Sequence, residues 1–457
     1  MDLAKSIFRG DKGIWAIFFL LCVISMVEVF SSSIALSSTQ GIHWAPIMKH
    51  FMLLIFGLFI VILVHNVPYR WYSSGMILVP ISFIFLIAVM IWGEERGNAS
   101  RWFRVMGFQF QPSELAKLSI IISVAFLLSR MQDTKVSRDN TFKVLMIGIS
   151  VMCFTIMLDN LSTAVLLFSV CMIMMIIGNV SLLKIGKLLL PVIGLVAMMY
   201  FVAPLFGRAS ENRDADTEQT EVSSGIMGAF NRIPTWRNRI DRFVDYVVHD
   251  KSPKEYMEED KNFQPGYARI AIARGGFSPK LPGNSYARNF LPEANSDFIY
   301  AVIIEELGIF GGIFVIGLYV ALLVRCGRLV QKCRRKFPAF LLIGCALIIF
   351  CQALMHMLVC VHLMPVTGQP LPLISKGGTS LCITCVYFGI MLSISRTIIP
   401  SEILKDKNFV KDSEQLPENN EPDDSENSDD DPALAEAAIK QVMYKDSFHE
   451  DPPKKQN

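Results

Sequence analysis

Apolar runs separated by short polar clusters recur along the first four hundred residues, and each approaches the roughly 20 residues that a helix needs to cross a hydrocarbon core. Ten such runs are present: 14–36, 48–66, 75–93, 113–131, 142–158, 162–180, 185–206, 298–324, 338–361 and 379–399. The pattern predicts an all-α polytopic membrane protein with ten transmembrane helices. The first run follows Lys5, Arg9 and Lys12, is too long for a signal-peptide core and lacks a small-residue cleavage site, so it reads as a retained span. With the N-terminus placed in the cytoplasm, the inner loops hold 16 Lys or Arg and the short outer loops hold five. By the positive-inside rule both termini are then cytoplasmic. Three segments face outward: 94–112, the Pro/Gly-rich stretch 362–378, and a large extracytoplasmic loop, 207–297, between helices 7 and 8.

Composition agrees with that pattern. Of 457 residues, 52% are hydrophobic and 18% charged, and the mean hydropathy is +0.42. The net charge of +2 conceals a division: the last 54 residues hold 15 acidic and seven basic groups, leaving the first 403 with 36 basic against 26 acidic. Residues 1–403 are expected to form one membrane domain. Residues 404–457, with too little apolar surface to fold alone, are expected to be a disordered cytoplasmic tail that contacts partners, with a short helix over 432–443. The basic excess of the body belongs mostly to topology, and no nucleic-acid partner is expected. The ten cysteines show no framework spacing, and the lone Cys382-x-x-Cys385 pair lies in an apolar run, where buried thiols are the plainer reading than a metal or redox site.

Charged groups at membrane depth each need a reason. Glu114 and Lys117 lie three apart at the start of the fourth span, behind Gln111, Pro112 and Ser113, and can pair on one helical face. That pair is either a structural bridge or the wall of a substrate cavity. Glu305 and Glu306 sit side by side in the eighth span, about 100° apart around the helix, so both cannot face lipid. Arg101 and Arg104 lie outside with Trp102, where basic residues break the charge rule and suit an anionic headgroup. Asp297 precedes Arg325 by a span of helix about 42 Å long, which places it at the outer headgroup level. Taken locally, it reads as a helix N-cap. The prolines and glycines of 363–380 break a helix at membrane depth, a feature tolerated only in a cavity-lining or re-entrant segment. In the large loop, Ile233, Trp236, Ile240 and Phe243 alternate with Arg237, Arg239 and Arg242 in the manner of an amphipathic helix on the outer membrane surface.

Together, Arg101-Trp102, Gln111-Pro112-Ser113-Glu114 with Lys117, Leu291-Pro292-Glu293-Ala294 with Asp297-Phe298-Ile299, Glu305-Glu306-Leu307-Gly308, and Pro365–Gly368 with Gly377–Ser380 resemble the SEDS (shape, elongation, division and sporulation) proteins. The resemblance covers about residues 10–400. It implies a peptidoglycan glycosyltransferase of the bacterial cytoplasmic membrane that polymerises lipid II on the outer face, working with a class B penicillin-binding transpeptidase and, at the division septum, other divisome proteins. Leu291–Ala294 is closer to the cell-division branch than to the elongation branch. The resemblance makes Asp297 the general base and overrides the N-cap reading. It puts Arg101, Trp102, Gln111, Ser113, Glu293, Thr367, Lys376 and Ser380 at the substrate, and Glu114, Lys117, Glu305 and Glu306 in a cavity with structural ion pairs. The pyrophosphate leaving group calls for basic groups or a divalent cation, with Arg101 the first candidate and any metal ligands unassigned. Departures stand at Asp159, His356, His362 and Lys376, and no role is assigned to the two histidines. A lipid transporter using Glu114, Lys117, Glu305 and Glu306, and a non-catalytic scaffold, are the rival classes.

Overall fold

The computed structural model describes residues 8–40, 45–95, 100–105, 108–132, 138–187, 189–190, 194, 198, 233–249, 263–277, 279–291 and 294–403. Helices dominate: α1 Lys12–Gln40, α2 Ala45–Asn66, α3 Leu78–Trp92 entered through a 3-10 turn at Tyr69–Ile77, α4 Pro112–Met131, α5 Arg138–Asp159 and α6 Leu161–Ile177. The second half holds α7 Ile233–His249, α8 Phe263–Gly275, α9 Ile299–Val330, α10 Lys336–Cys360 and α11 Gly378–Ile403. Among the described residues eight helical segments are long and apolar enough to cross a membrane, and α6 is a shorter apolar helix. The chain is a mostly helical, multi-pass membrane protein. The predicted run at 185–206 lies mostly outside the described residues, as do the tail 404–457 and the helix expected over 432–443.

The all-α expectation needs one correction. Residues 94–110 include a three-stranded antiparallel sheet, β1 Glu94–Glu95, β2 Ser100–Val105 and β3 Phe108–Phe110, with Glu94 opposite Trp102 and Phe103 opposite Phe110. Cross-strand pairing satisfies backbone groups of this segment that no helix would satisfy.

Position in the bundle follows the polar content of each helix. Within their most apolar stretches, α4 is 78% buried and α11 72%, against 17% for α2. The helix carrying Ser113, Glu114, Lys117, Ser119 and Ser123 is therefore central, because hydrocarbon offers no partner for these groups. Ser119 Oγ lies 2.9 Å from Ser82 Oγ of α3, and Ser123 Oγ donates to the Ser119 carbonyl. At the opposite rim Arg325 of α9 donates from Nε and Nη2 to both oxygens of Asp11, which precedes α1, with the shortest contact at 2.6 Å. Burial would raise the Asp11 pKa, but the Arg325 and Ile14 N–H hydrogen bonds outweigh that and hold it below the usual value. All ten cysteines are free.

One helix is broken. At Gly308 the backbone of α9 turns to φ 70°, ψ −179°, separating Ile299–Leu307 from the membrane-crossing remainder. The break is filled from the segment that precedes it: Ile309 N–H donates to the Gly276 carbonyl and Leu281 N–H to the Glu306 carbonyl, both at 2.9 Å.

Candidate active site

Asp297 lies in the turn that leads into α9. The N-cap position belongs to Phe298, which makes no side-chain cap hydrogen bond, and not to Asp297 as the local reading expected. Ser296 Oγ donates to Asp297 Oδ1 at 2.9 Å. On its other side the carboxylate meets Gly368: a Cβ there would stand 3.4 Å from Asp297 Oδ2, and Gly368 has φ +67°. The proline-rich segment therefore passes close to the acid at a residue whose left-handed backbone favours glycine.

That segment is pinned from several directions. Ser375 Oγ accepts from Leu371 N–H and donates to the Ser296 carbonyl, both at 2.7 Å. Lys376 N–H donates to the Asn295 carbonyl at 2.9 Å, while its side chain is exposed. Tyr319 OH, from the membrane half of α9, donates to the Pro372 carbonyl at 2.6 Å. Ser25 Oγ of α1 donates to the Ile374 carbonyl and lies 2.8 Å from His50 Nε2 of α2.

A buried polar track joins this loop to the bundle centre. Lys117 Nζ lies 2.8 Å from Glu114 Oε1 and donates to Gln352 Oε1 at the same distance. Gln352 Nε2 in turn donates to the Pro370 carbonyl at 3.0 Å. Beside it, His356 Nδ1 donates to the Gln369 carbonyl at 2.7 Å, and Gln369 Nε2 donates to Thr163 Oγ1 at 2.7 Å. Thr163 sits in the first turn of α6, whose N-cap is Asn160. Gln352 was not singled out from sequence, although an amide within an apolar span is itself a signal.

Glu305 and Glu306 face protein. Glu305 accepts from Ser285 Oγ and from the N–H groups of Tyr286 and Ala287, and pairs with Arg274 Nε at 3.1 Å. Glu306 accepts from Ser31 Oγ and from Gly283 and Ser285 N–H, with Arg288 Nη1 at 3.9 Å. Two fully buried carboxylates thus hold the loop 283–288, the approach to Asp297, by its amides. Charge-assisted bonds of this kind offset the desolvation of both acids.

The remaining predicted residues fall at the sheet side or outside the description. Gln111 precedes α4, its N–H donating to Thr379 Oγ1 at 3.3 Å, and Thr379 Oγ1 donates to the Gln109 carbonyl at 2.5 Å. This brings the 108–112 segment against the start of α11, near buried Ser380 and buried Ser113. Thr367 adjoins Gly368, and its Oγ1 is buried with no hydrogen-bond partner. Trp102 is half-buried in β2, as its register opposite Glu94 describes. The Arg101 side chain and the whole of Glu293 lie outside the described residues. Among the described residues no three His, Cys, Asp or Glu side chains converge to hold a metal ion.

Helix α7 packs against the protein. Trp236 packs against the hydrophobic core, Arg239 Nη1 donates to the Val366 carbonyl at 3.2 Å, and the Phe243 ring centroid lies 6.1 Å from that of His362. Burial first and Arg269 second push the His362 pKa down to about 4. The imidazole is neutral at ordinary pH.

A family model labelled for FtsW, RodA and SpoVE and described as "Cell cycle protein" matches residues 11–398. A probable peptidoglycan glycosyltransferase FtsW of Halomonas elongata is 29% identical over 384 residues, which are 82% of this chain and 87% of that protein. The protein of the same name from Bacillus subtilis is 29% identical over 402 residues, 85% of this chain and 91% of its own. A chain from a peptidoglycan synthase complex, solved for the structural coordination of polymerization and crosslinking, superposes with a TM-score of 0.62 at 22% identity and covers 86% of this chain and 99% of its own. Rod shape determining protein RodA of Thermus thermophilus gives 0.54 at 19% identity, covering 85% and 97%. At those identities the two structures speak for the fold.

Proposed function

Because the chain belongs to the FtsW/RodA/SpoVE family of cell cycle proteins, we propose that it is a peptidoglycan glycosyltransferase that polymerises lipid II on the outer face of the cytoplasmic membrane, with Asp297 as general base. The observation that carries this reading is the Asp297 turn itself. Its carboxylate is half-buried, held by Ser296 and flanked by the Gly368 backbone at the foot of a rigid loop. A base held on fixed backbone can accept the proton of an attacking sugar hydroxyl with little reorganisation. The reading includes ten spans, cytoplasmic termini, a membrane domain over 1–403, a location at the division septum and work beside a transpeptidase. Arg101, Trp102, Gln111, Ser113, Glu293, Thr367, Lys376 and Ser380 are assigned to the substrate. Glu114, Lys117, Glu305 and Glu306 are assigned to support, which also weakens the transporter alternative: each has fixed protein partners instead of lining a path.

The test is polymerisation of labelled lipid II by the full chain, alone and with a class B transpeptidase, comparing the native protein with Asp297→Ala. Glycan strands from the native chain and none from the variant are expected. Strands from both would remove Asp297 from the chemistry. Movement of lipid II across vesicles with no strands would remove the polymerase.

A further inference from the structure

Three arginines follow one another along α7 and end in different places. Arg237 Nε pairs with Asp241 one turn on, at 3.2 Å, and Arg242 Nε donates to the Asn238 carbonyl of its own helix at 2.9 Å. Arg239 reaches out of the helix to the Val366 carbonyl, two residues before Gly368, where an added Cβ would stand 3.4 Å from Asp297 Oδ2. Among the described residues, the hydrogen bond recorded for its guanidinium goes to a neutral acceptor, which positions the group without neutralising it. Burial and Arg242 depress the Arg239 pKa, and Asp297 opposes them, so the acid and the guanidinium share one field. An arginine keeps its charge even so.

A half-buried cation beside the carboxylate, fixed by a carbonyl and not by an acid, is built to meet an anion. A planar guanidinium can bind two phosphoryl oxygens at once, which an ammonium cannot do in the same geometry. We propose that Arg239 binds the diphosphate of the glycosyl donor, on the same loop backbone that carries Gly368 against Asp297. The inference rests on the polymerase reading. In the step, the acceptor hydroxyl oxygen bonds to the donor's anomeric carbon and its proton passes to Asp297. The bond from that carbon to the phosphoryl oxygen breaks, and its electron pair leaves with the diphosphate, whose added charge Arg239 meets.

The test uses the full chain in phosphatidylcholine nanodiscs, titrated with undecaprenyl diphosphate and, separately, undecaprenyl monophosphate. Arg239→Gln is expected to weaken diphosphate binding by about ten-fold or more, the loss of one bidentate charge-assisted contact, and to erase the preference for diphosphate over monophosphate. Arg239→Lys is expected to fall between, and Arg237→Gln to match the native chain. In turnover the Arg239→Gln deficit appears in kcat/KM. Native diphosphate affinity in a folded Arg239→Gln protein overturns the proposal. If that variant does not fold, as judged by its melting, the lysine variant decides: native affinity and native preference there overturn it equally. Competition by phosphatidylglycerol as strong as that by diphosphate would make the site a general anionic-lipid contact and also overturn it. Asp297→Asn separates the two readings. Binding kept with turnover lost supports both, whereas turnover kept removes Asp297 as base and leaves the diphosphate result to stand by its own measurement.

Discussion

Lys117 concentrates the energetics of single residues in this protein. Its ammonium is wholly buried and held by one carboxylate and one amide, and the amide passes the link to the Pro370 carbonyl. Lys117→Met would leave Glu114 as a buried charge with no counter-ion and free the Gln352 oxygen. A loss of about 3–5 kcal/mol is expected, read as a lower melting temperature of the detergent-solubilised protein. Adding Glu114→Gln should recover much of it, because a neutral pair removes the stranded charge. If the double variant melts no higher than the single one, the pair's contribution is not electrostatic.

At the scale of elements the decisive feature is the break in α9. Gly308 occupies a backbone region open essentially to glycine alone, although a Cβ there would meet only ordinary contacts, the nearest being the Gly276 carbonyl at 3.4 Å. Gly308→Ala should therefore destabilise through conformation and not through collision, by about 1–3 kcal/mol, and it should loosen the 276–288 loop. Amide exchange faster at Leu281 and Ile309, whose N–H groups close the break, would show it; unchanged exchange would refute it. This element also marks what the chain discloses of itself. The apolar runs and the three-residue spacing of Glu114 and Lys117 are local properties, so the presence of several membrane helices and the pair could be read directly. The break could not, because its hydrogen bonds come from Gly276 and Leu281, two dozen or more residues away in sequence. The small sheet escaped for the same reason, since strand pairing is set by partners and not by the strand. Asp297 was legible only by family resemblance, because a turn acid before a helix looks locally like a cap. Arg239 could be seen as one side of an amphipathic helix, but the carbonyl it reaches belongs to a segment more than a hundred residues later.

For the molecule as a whole, the interrupted α9 separates two mechanical bodies. The first segment, Ile299–Leu307, is fastened through Glu305 and Glu306 to the 283–288 loop, whereas the second runs on to the Arg325 clasp with Asp11. A transmembrane helix answers a thicker or thinner bilayer by changing its tilt. Here the helix can bend at one glycine, while its lower half keeps a hold on the loop through the Tyr319 hydrogen bond to the Pro372 carbonyl. Turnover of the native chain should then vary less with acyl-chain length than that of Gly308→Ala, and an equal dependence in both would count against this. In engineering terms Gly308 is the joint of α9, and Tyr319 is a tie rod that runs past it to the loop.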